Sequence, residues 1–351
     1  MMETYRIDPI RDHRWEQFLQ THPGASVFHT PAWLNALRGT YGYEPGVFST
    51  SAPTHPIRSG VAFCRVQSWL TGSRLVSVPF ADHCQPLFNA SEDGRSLAAL
   101  LPRLVAEEHC DYVELRLLTP EALGPTQNGF ARSATFLHHA LDLRPPLPVL
   151  FDRLHKSCFQ RRIRRAEKEG LTYAEGRSDS LLRQFYSLLV LTRRRHGVLP
   201  QPLAWFRNLR DCFGDAINIG VASKESRPIA SMLTLHYKTT VVYKYGCSDA
   251  AFHRFGAMPF LFWQTIQRAK AEGAAELDLG RSDVEDRGLI AFKNHLGATA
   301  IPLTYYRYPA ISAASSVLSG FMQHRKVSAV FAHLPSVLLR AATNFLYRHI
   351  G

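Results

Sequence analysis

A carboxylate set between two leucines is the first residue that asks for a chemical explanation. Asp278 lies in the short apolar run Glu276-Leu-Asp-Leu279, and burying a carboxylate without a partner is costly. Gly280-Arg281-Ser282-Asp283 follows at the carboxyl end of that run, where α/β sheets often place ligands. Asp278 is therefore expected to face water, a partner or a ligand, and Arg281 is a candidate to bind an anionic group. The competing reading is a structural ion pair between Asp278 and an arginine. A second polar elbow, Asp82-His83-Cys84, holds an acid, a base and a thiol in succession. Adjacent residues point in different directions, so adjacency alone does not make a relay. Asp82 and His83 are read as substrate contacts instead.

Charge points to an anionic partner. The 351 residues carry a formal charge of +12. Residues 151–200 hold twelve Lys and Arg against five Asp and Glu, and residues 310–351 hold four and none. These two segments account for nearly all of the excess, and they are where an anion is to be sought. Lys156, Arg161, Arg162, Arg164, Arg165 and Lys168 surround Phe159, Ile163 and Ala166. That pattern is a helix with one apolar face. Its basic face is either simply solvated or, with Arg193-Arg194-Arg195, binds phosphate on a nucleotide-linked or lipid-linked sugar or a tRNA acceptor stem. Lys156, Arg161 and Arg165 are the named candidates.

Composition excludes several classes. At 46% hydrophobic and 20% charged residues the chain is globular rather than disordered. Six cysteines without a CxxC pair read as reduced thiols, neither a disulfide framework nor a zinc site, so no metal is expected. The polar start from Met1 to Arg14 and the lack of a long apolar run predict a cytoplasmic protein. The acid-free tail, with Val337, Leu338, Ala341, Phe345 and Ile350 at helical spacing, is expected to be a helix. It either lies on an anionic inner-membrane leaflet through residues 316–351 or packs back on the protein.

The elements that must position these residues alternate in type, which predicts a mixed α/β fold. Thr30-Pro31 caps a helix carrying Trp33, Leu34, Leu37 and Tyr41. Strands are expected at 60–66, 74–78, 112–117 and 135–143, with a helix over 93–109. The run Arg144-Pro-Pro-Leu-Pro148 is the linker candidate. Beyond it come helices at 151–169, 180–196 and 203–213, then strands at 216–223, 229–237 and 241–247. A helix at 259–272, a strand at 276–279, a helix at 288–296 and a strand at 301–308 complete the chain. Alternation along 241–247 puts Tyr243 and Tyr245 on one face. The halves echo each other: Leu75–Pro79, an elbow, a helix and Val113-Glu-Leu-Arg-Leu117 match Val241–Tyr245, an elbow, a helix and Ala275-Glu-Leu-Asp-Leu279. This suggests a duplicated fold.

Four ordered stretches carry a family likeness. They are His155-Lys-Ser-Cys-Phe-Gln-Arg-Arg-Ile-Arg-Arg-Ala166 with Gly170, Phe185-Tyr186 through Thr192-Arg-Arg-Arg-His-Gly197, Glu276-Leu-Asp-Leu-Gly280, and Ala291-Phe-Lys-Asn-His-Leu-Gly297. Together they resemble the FemABX-like branch of the GNAT acyltransferases, enzymes that join an acyl or aminoacyl group to an amine. Phe28-His-Thr-Pro-Ala-Trp33 resembles the helix opening of the same proteins. The resemblance implies two tandem GNAT-like domains, 1–148 and 149–309, with the tail 310–351 beyond. It implies an N-acyl or aminoacyl transferase acting on a cell-envelope or polysaccharide precursor, with a phosphate-bearing or lipid-linked substrate. It also implies that Lys293 stabilises the developing oxyanion, and that Tyr245 and Asp249 line the acyl site. Acetyl-CoA users carry Q/R-x-x-G-x-G/A, whereas His253-Arg-Phe-Gly-Ala-Met258 keeps only the central glycine, Gly256. The donor is therefore acyl-CoA or aminoacyl-tRNA, with the departure leaning toward tRNA. The alternative is a non-catalytic adaptor binding RNA or anionic membrane through the basic segments.

Overall fold

The computed structural model describes residues 4–89, 102–118, 129–309, 343, 346–349 and 351. The chain divides into two compact units. Among the described residues, one comprises those in 4–136 and 302–309 with those at 343–351, and the other comprises 137–301. The chain passes between them within β7 (Ala131–Asp142) and β13 (Thr299–Tyr308). The Pro-rich stretch at 144–148 lies inside the second unit, where Pro146 and Pro148 start a helix, a position that tolerates a missing N–H.

The first unit contains β1 (Tyr5–Ile7), α1 (His13–Thr21), α2 (Pro31–Tyr41), β2 (Glu44–Ser49), β3 (Ser59–Ser68), β4 (Gly72–Val76), β5 (Leu87–Phe88) and β6 (Tyr112–Leu117). Helix α2 forms where Thr30 and Pro31 predicted it. The Thr30 hydroxyl accepts from Trp33 N–H, and Gly42 ends the helix in the left-handed conformation. Strands β1 to β4 pair antiparallel in sequence order, β6 runs parallel to β4, and β13 pairs with β6 through Thr304–Tyr308. Phe48, Val61, Phe63, Leu75, Val113, Leu115 and Tyr306 form a core on this sheet.

The second unit contains α3 (Leu147–Arg153), α4 (Arg161–Lys168), β8 (Thr172–Gly176), α5 (Asp179–Arg195), α6 (Leu203–Phe213), β9 (Ile217–Lys224), β10 (Arg227–Tyr237), β11 (Thr240–Ser248), α7 (Ala257–Ala271), β12 (Glu276–Asp283) and α8 (Arg287–His295). Strands β8 to β11 are antiparallel neighbours, and β12 runs parallel to β11. The echo read in the sequence is thus an echo of topology. Each unit has a short strand, two helices, three antiparallel strands and a crossover to a parallel strand. Pairing of Val76 with Glu114 in one matches pairing of Val242 with Asp278 in the other.

Two local details differ from expectation. The helix expected over 151–169 is broken after Arg153. His155 leaves helical geometry, its N–H donates to His295 O at 2.9 Å, and its ring Nδ1 accepts from Cys158 N–H at 3.2 Å. The Gln160 amide reaches back to Phe151 O and Leu154 O, so the interruption leaves these carbonyls paired. A one-turn π-helix (Lys156–Gln160) then leads into α4. In β11, a bulge matches Leu233 to Tyr245 but Thr234 to Tyr243, leaving Lys244 as the extra residue. Tyr243 consequently packs on Phe262 of α7, while Tyr245 packs on Phe206 of α6 and Phe185 of α5. The two rings do not share a face.

The expected helix over 93–109 is described only from residue 102, helical over 102–107. The expected tail helix lies outside the described residues, except for 343, 346–349 and 351. Of these, Tyr347 and His349 are buried in the first unit, with Tyr43 Oη donating to Tyr347 O at 3.1 Å. No helix among the described residues is long and apolar enough to cross a membrane.

His29 makes the first unit pH-sensitive. It is fully buried, Nδ1 accepting from Ser26 N–H at 3.0 Å and Nε2 lying 2.9 Å from Gln85 O. Burial lowers its pKa to about 4, against about 6.5 in an unfolded chain. Between those values the unfolded chain binds a proton that the native protein does not. Stability is therefore full above the higher value and falls with pH toward the lower, by up to about 1.4 kcal/mol per pH unit. Urea unfolding across this window should show that slope. His139 contributes in the same window, so His29→Gln should reduce the slope rather than abolish it, and an unchanged slope in the variant would remove His29 as a source.

Candidate active site

The site forms where two parallel strands stop pairing. β11 and β12 are bonded only over Thr240–Val242 and Glu276–Asp278, although both strands continue. Asp278 is the last residue of β12 paired with β11. Two residues on, Gly280 takes φ +66°, a conformation that suits glycine. This bend turns the Gly280 N–H back onto Asp278 Oδ1 at 2.6 Å. The same oxygen lies 2.9 Å from His138 Nε2 on β7. A histidine is thus a partner of Asp278.

Lys293 closes the other side of the bend. Asp286 caps α8 by accepting from Leu289 N–H at 3.0 Å, and this helix directs Lys293 inward. The Lys293 ammonium is buried and donates to Gly280 O at 3.0 Å and Arg281 O at 2.9 Å. Carboxylate and ammonium therefore hold the N–H and the C=O of one glycine. His139, also buried, has its pKa lowered to about 4, first by burial and then by the charge of Lys293. A buried ammonium is worth more as an electrostatic group than one in water. A carboxylate-oriented imidazole is the arrangement used to move a proton.

Two expected residues, Asp278 and Lys293, come together in this way. Arg281, next to the bend, is exposed. Tyr245 sits on the α5–α6 side of the sheet, its hydroxyl accepting from Gln201 Nε2 and Trp205 Nε1, both at 2.9 Å. Asp249 caps the turn Ala250–Phe255 and pairs with Arg227 at 3.0 Å. Gly256 starts α7 at φ +76°, and a Cβ there would fall 2.4 Å from Arg162 O, so the basic helix seats directly on this glycine. Lys156, Arg161 and Arg165 all project to solvent, Arg165 lying 3.9 Å from Glu169. In the first unit, Asp82 O accepts from Tyr305 Oη at 2.7 Å, and His83 is buried edge-on to Phe28. Burial pushes the neighbouring Cys84 thiol well above its ordinary pKa, so it is held as a thiol and not a nucleophile.

His138 and His139 were not singled out in the sequence. Their signal is slight: two histidines in a strand that alternation sends to opposite faces, one of them toward Asp278.

Comparison with known proteins places the fold. Residues 155–293 match the family model of an acetyltransferase (GNAT) domain. A crystal structure of FemX superposes with a TM-score of 0.69, covering 92% of this chain and 100% of that one at 13% identity. The chain has a FemX-like GNAT fold. The FemX-like architecture also matches L-PGS from Bacillus licheniformis, with a TM-score of 0.55 and 12% identity over 90% of this chain and 96% of that one. A tandem GNAT protein from the clavulanic acid biosynthesis pathway superposes at 0.53, with 11% identity over 89% and 99%. In sequence, a UDP-N-acetylmuramoylpentapeptide-lysine N(6)-alanyltransferase from Weissella viridescens is 27% identical over 164 residues. That match takes in 45% of this chain and 48% of the alanyltransferase, so the FemX-like chain spans about half the length of this curated relative.

Proposed function

We propose that this protein transfers an aminoacyl group from aminoacyl-tRNA to an amine of a cell-envelope precursor. The observation that carries the reading is the buried Lys293 ammonium beside the Asp278–His138 pair at the point where β11 and β12 separate. Amide formation needs positive charge near the carbonyl oxygen that becomes an oxyanion, and an acceptor for the amine proton. Lys293 supplies the first, and His138, oriented by Asp278, the second. The amine attacks the ester carbonyl, its proton passes to the imidazole, and collapse of the intermediate expels the ribose oxygen, which takes a proton. The chemistry named for the Weissella relative, alanyl transfer to a lysine of a UDP-linked muramoyl pentapeptide, is of this kind.

The loop before α7 supports tRNA over acyl-CoA. A pyrophosphate cradle needs several backbone N–H groups at a helix start. Here Ala251 and Phe252 N–H turn to Asp249, Gly256 N–H turns to His253 O, and the third helical residue is Pro259, which has none. Phosphate contacts then fall to Lys156, Arg161 and Arg165 on the exposed basic face. Incubation with UDP-muramoyl pentapeptide and either radiolabelled alanyl-tRNA or acetyl-CoA tests the reading. Label should reach the peptide amine from the tRNA alone. Transfer from acetyl-CoA alone would overturn the donor. Salt-sensitive tRNA binding without transfer from either donor would make the protein an adaptor.

A further inference from the structure

We propose that His155, Cys158 and His295 form a binding site for a zinc-class divalent metal on the surface of the second unit. The break between α3 and α4 creates it. His155 and Cys158 lie three residues apart on the π-turn, and His295 is the last residue of α8. One donor atom from each of the three lies within 4.8 Å of the others. The imidazoles of His155 and His295 have centroids 4.2 Å apart.

The supporting frame is held by a backbone hydrogen bond and a packed aromatic pair. The backbone of His155 donates to His295 O at 2.9 Å, which ties the two segments together. Beneath them, Phe159 packs on Phe292 with centroids 5.1 Å apart. Zinc–sulfur and zinc–nitrogen distances of about 2.3 and 2.0 Å put ligand atoms about 3.5 Å apart, a closing reachable by side-chain rotation. One sulfur and two imidazole nitrogens suit Zn²⁺, and hard cations such as Mg²⁺ poorly. Binding replaces the Cys158 thiol proton and the long 3.2 Å bond from Cys158 N–H to His155 Nδ1. Three protein ligands leave a fourth position for water or a substrate atom, the open pattern of zinc sites that do more than hold a fold. The site is separate from the Asp278–Gly280–Lys293 bend, but it clasps the end of the helix that carries Lys293. Loading it would fix α8 against the basic turn.

Cobalt titration of the chelator-treated full chain tests this directly. One equivalent of Co²⁺ should produce visible bands of a tetrahedral site and a near-ultraviolet sulfur-to-cobalt charge-transfer band, both displaced by Zn²⁺. Cys158→Ser should abolish the charge-transfer band and weaken Zn²⁺ binding at least tenfold. His295→Gln should weaken it similarly, and Cys212→Ser should change nothing. Melting of each variant without metal should match the parent, which separates lost ligation from lost folding. Absence of a sulfur band in the parent, or its survival in Cys158→Ser, would overturn the site.

Discussion

Lys293→Met should cost the protein both stability and nearly all of its transfer rate. Methionine fills the space but cannot donate, so Gly280 O and Arg281 O lose their shared partner. Buried groups left unpaired cost about 1–3 kcal/mol each, so the loss should reach about 2–4 kcal/mol in urea unfolding. The chemical step should slow by about 10²–10³, the usual effect of removing one oxyanion donor. Single-turnover transfer at saturating donor and acceptor measures that step apart from binding. A variant that stays folded and transfers within about threefold of the parent would remove Lys293 from the chemistry and leave it as a clamp on the bend.

Asp278 separates structure from chemistry more cleanly, because two substitutions act differently on it. Asp278→Asn keeps an oxygen that accepts from Gly280 N–H, so the bend at φ +66° should persist with a stability change under about 1.5 kcal/mol. It removes the charge that orients His138 and stabilises its protonated form, so the rate should fall by about 10²-fold or more. Asp278→Ala removes the acceptor from both donors and should cost about 2–5 kcal/mol. Equal transfer rates for Asp278→Asn and the parent would mean that the carboxylate serves the bend alone. A pH–rate profile whose lower limb disappears in His138→Gln would place the moving proton on that imidazole.

Elements with strong local signals were legible in the sequence. Helices α2, α5, α6 and α8 and strands β6 and β9 to β13 lie within a few residues of where capping and periodicity predicted them. The duplication was visible because a pair of parallel strands leaves a recurring apolar run on both sides of a crossover. What escaped was set by side chains distant in sequence. The break at His155 depends on His295 and Gln160, and helix periodicity runs through it unaltered. Asp278 was recognised as a carboxylate needing a partner, but the partner lies 140 positions earlier, in a strand whose histidines carry no spacing signal. Lys293 came to attention by resemblance. Its burial goes with the bend at Gly280, whose carbonyl accepts from it beyond the last pair with β11.

The extra residue in β11 marks a place where this chain can change. Lys244 shifts the strand by half a pleat, so that Tyr243 serves the α7 core and Tyr245 the α5–α6 core. The Tyr243 ring is seated where any side chain at Gly246 would stand. Substitution at Lys244 leaves that arrangement intact, because its side chain is only half-buried and its contribution is one of count. Deleting it would set Tyr243 and Tyr245 side by side opposite Thr234 and Leu233, an ordinary alternation that keeps the two rings on opposite faces. This strand is therefore open to either length at this point, and lineages descended from it should vary both in the residue at 244 and in whether one stands there at all.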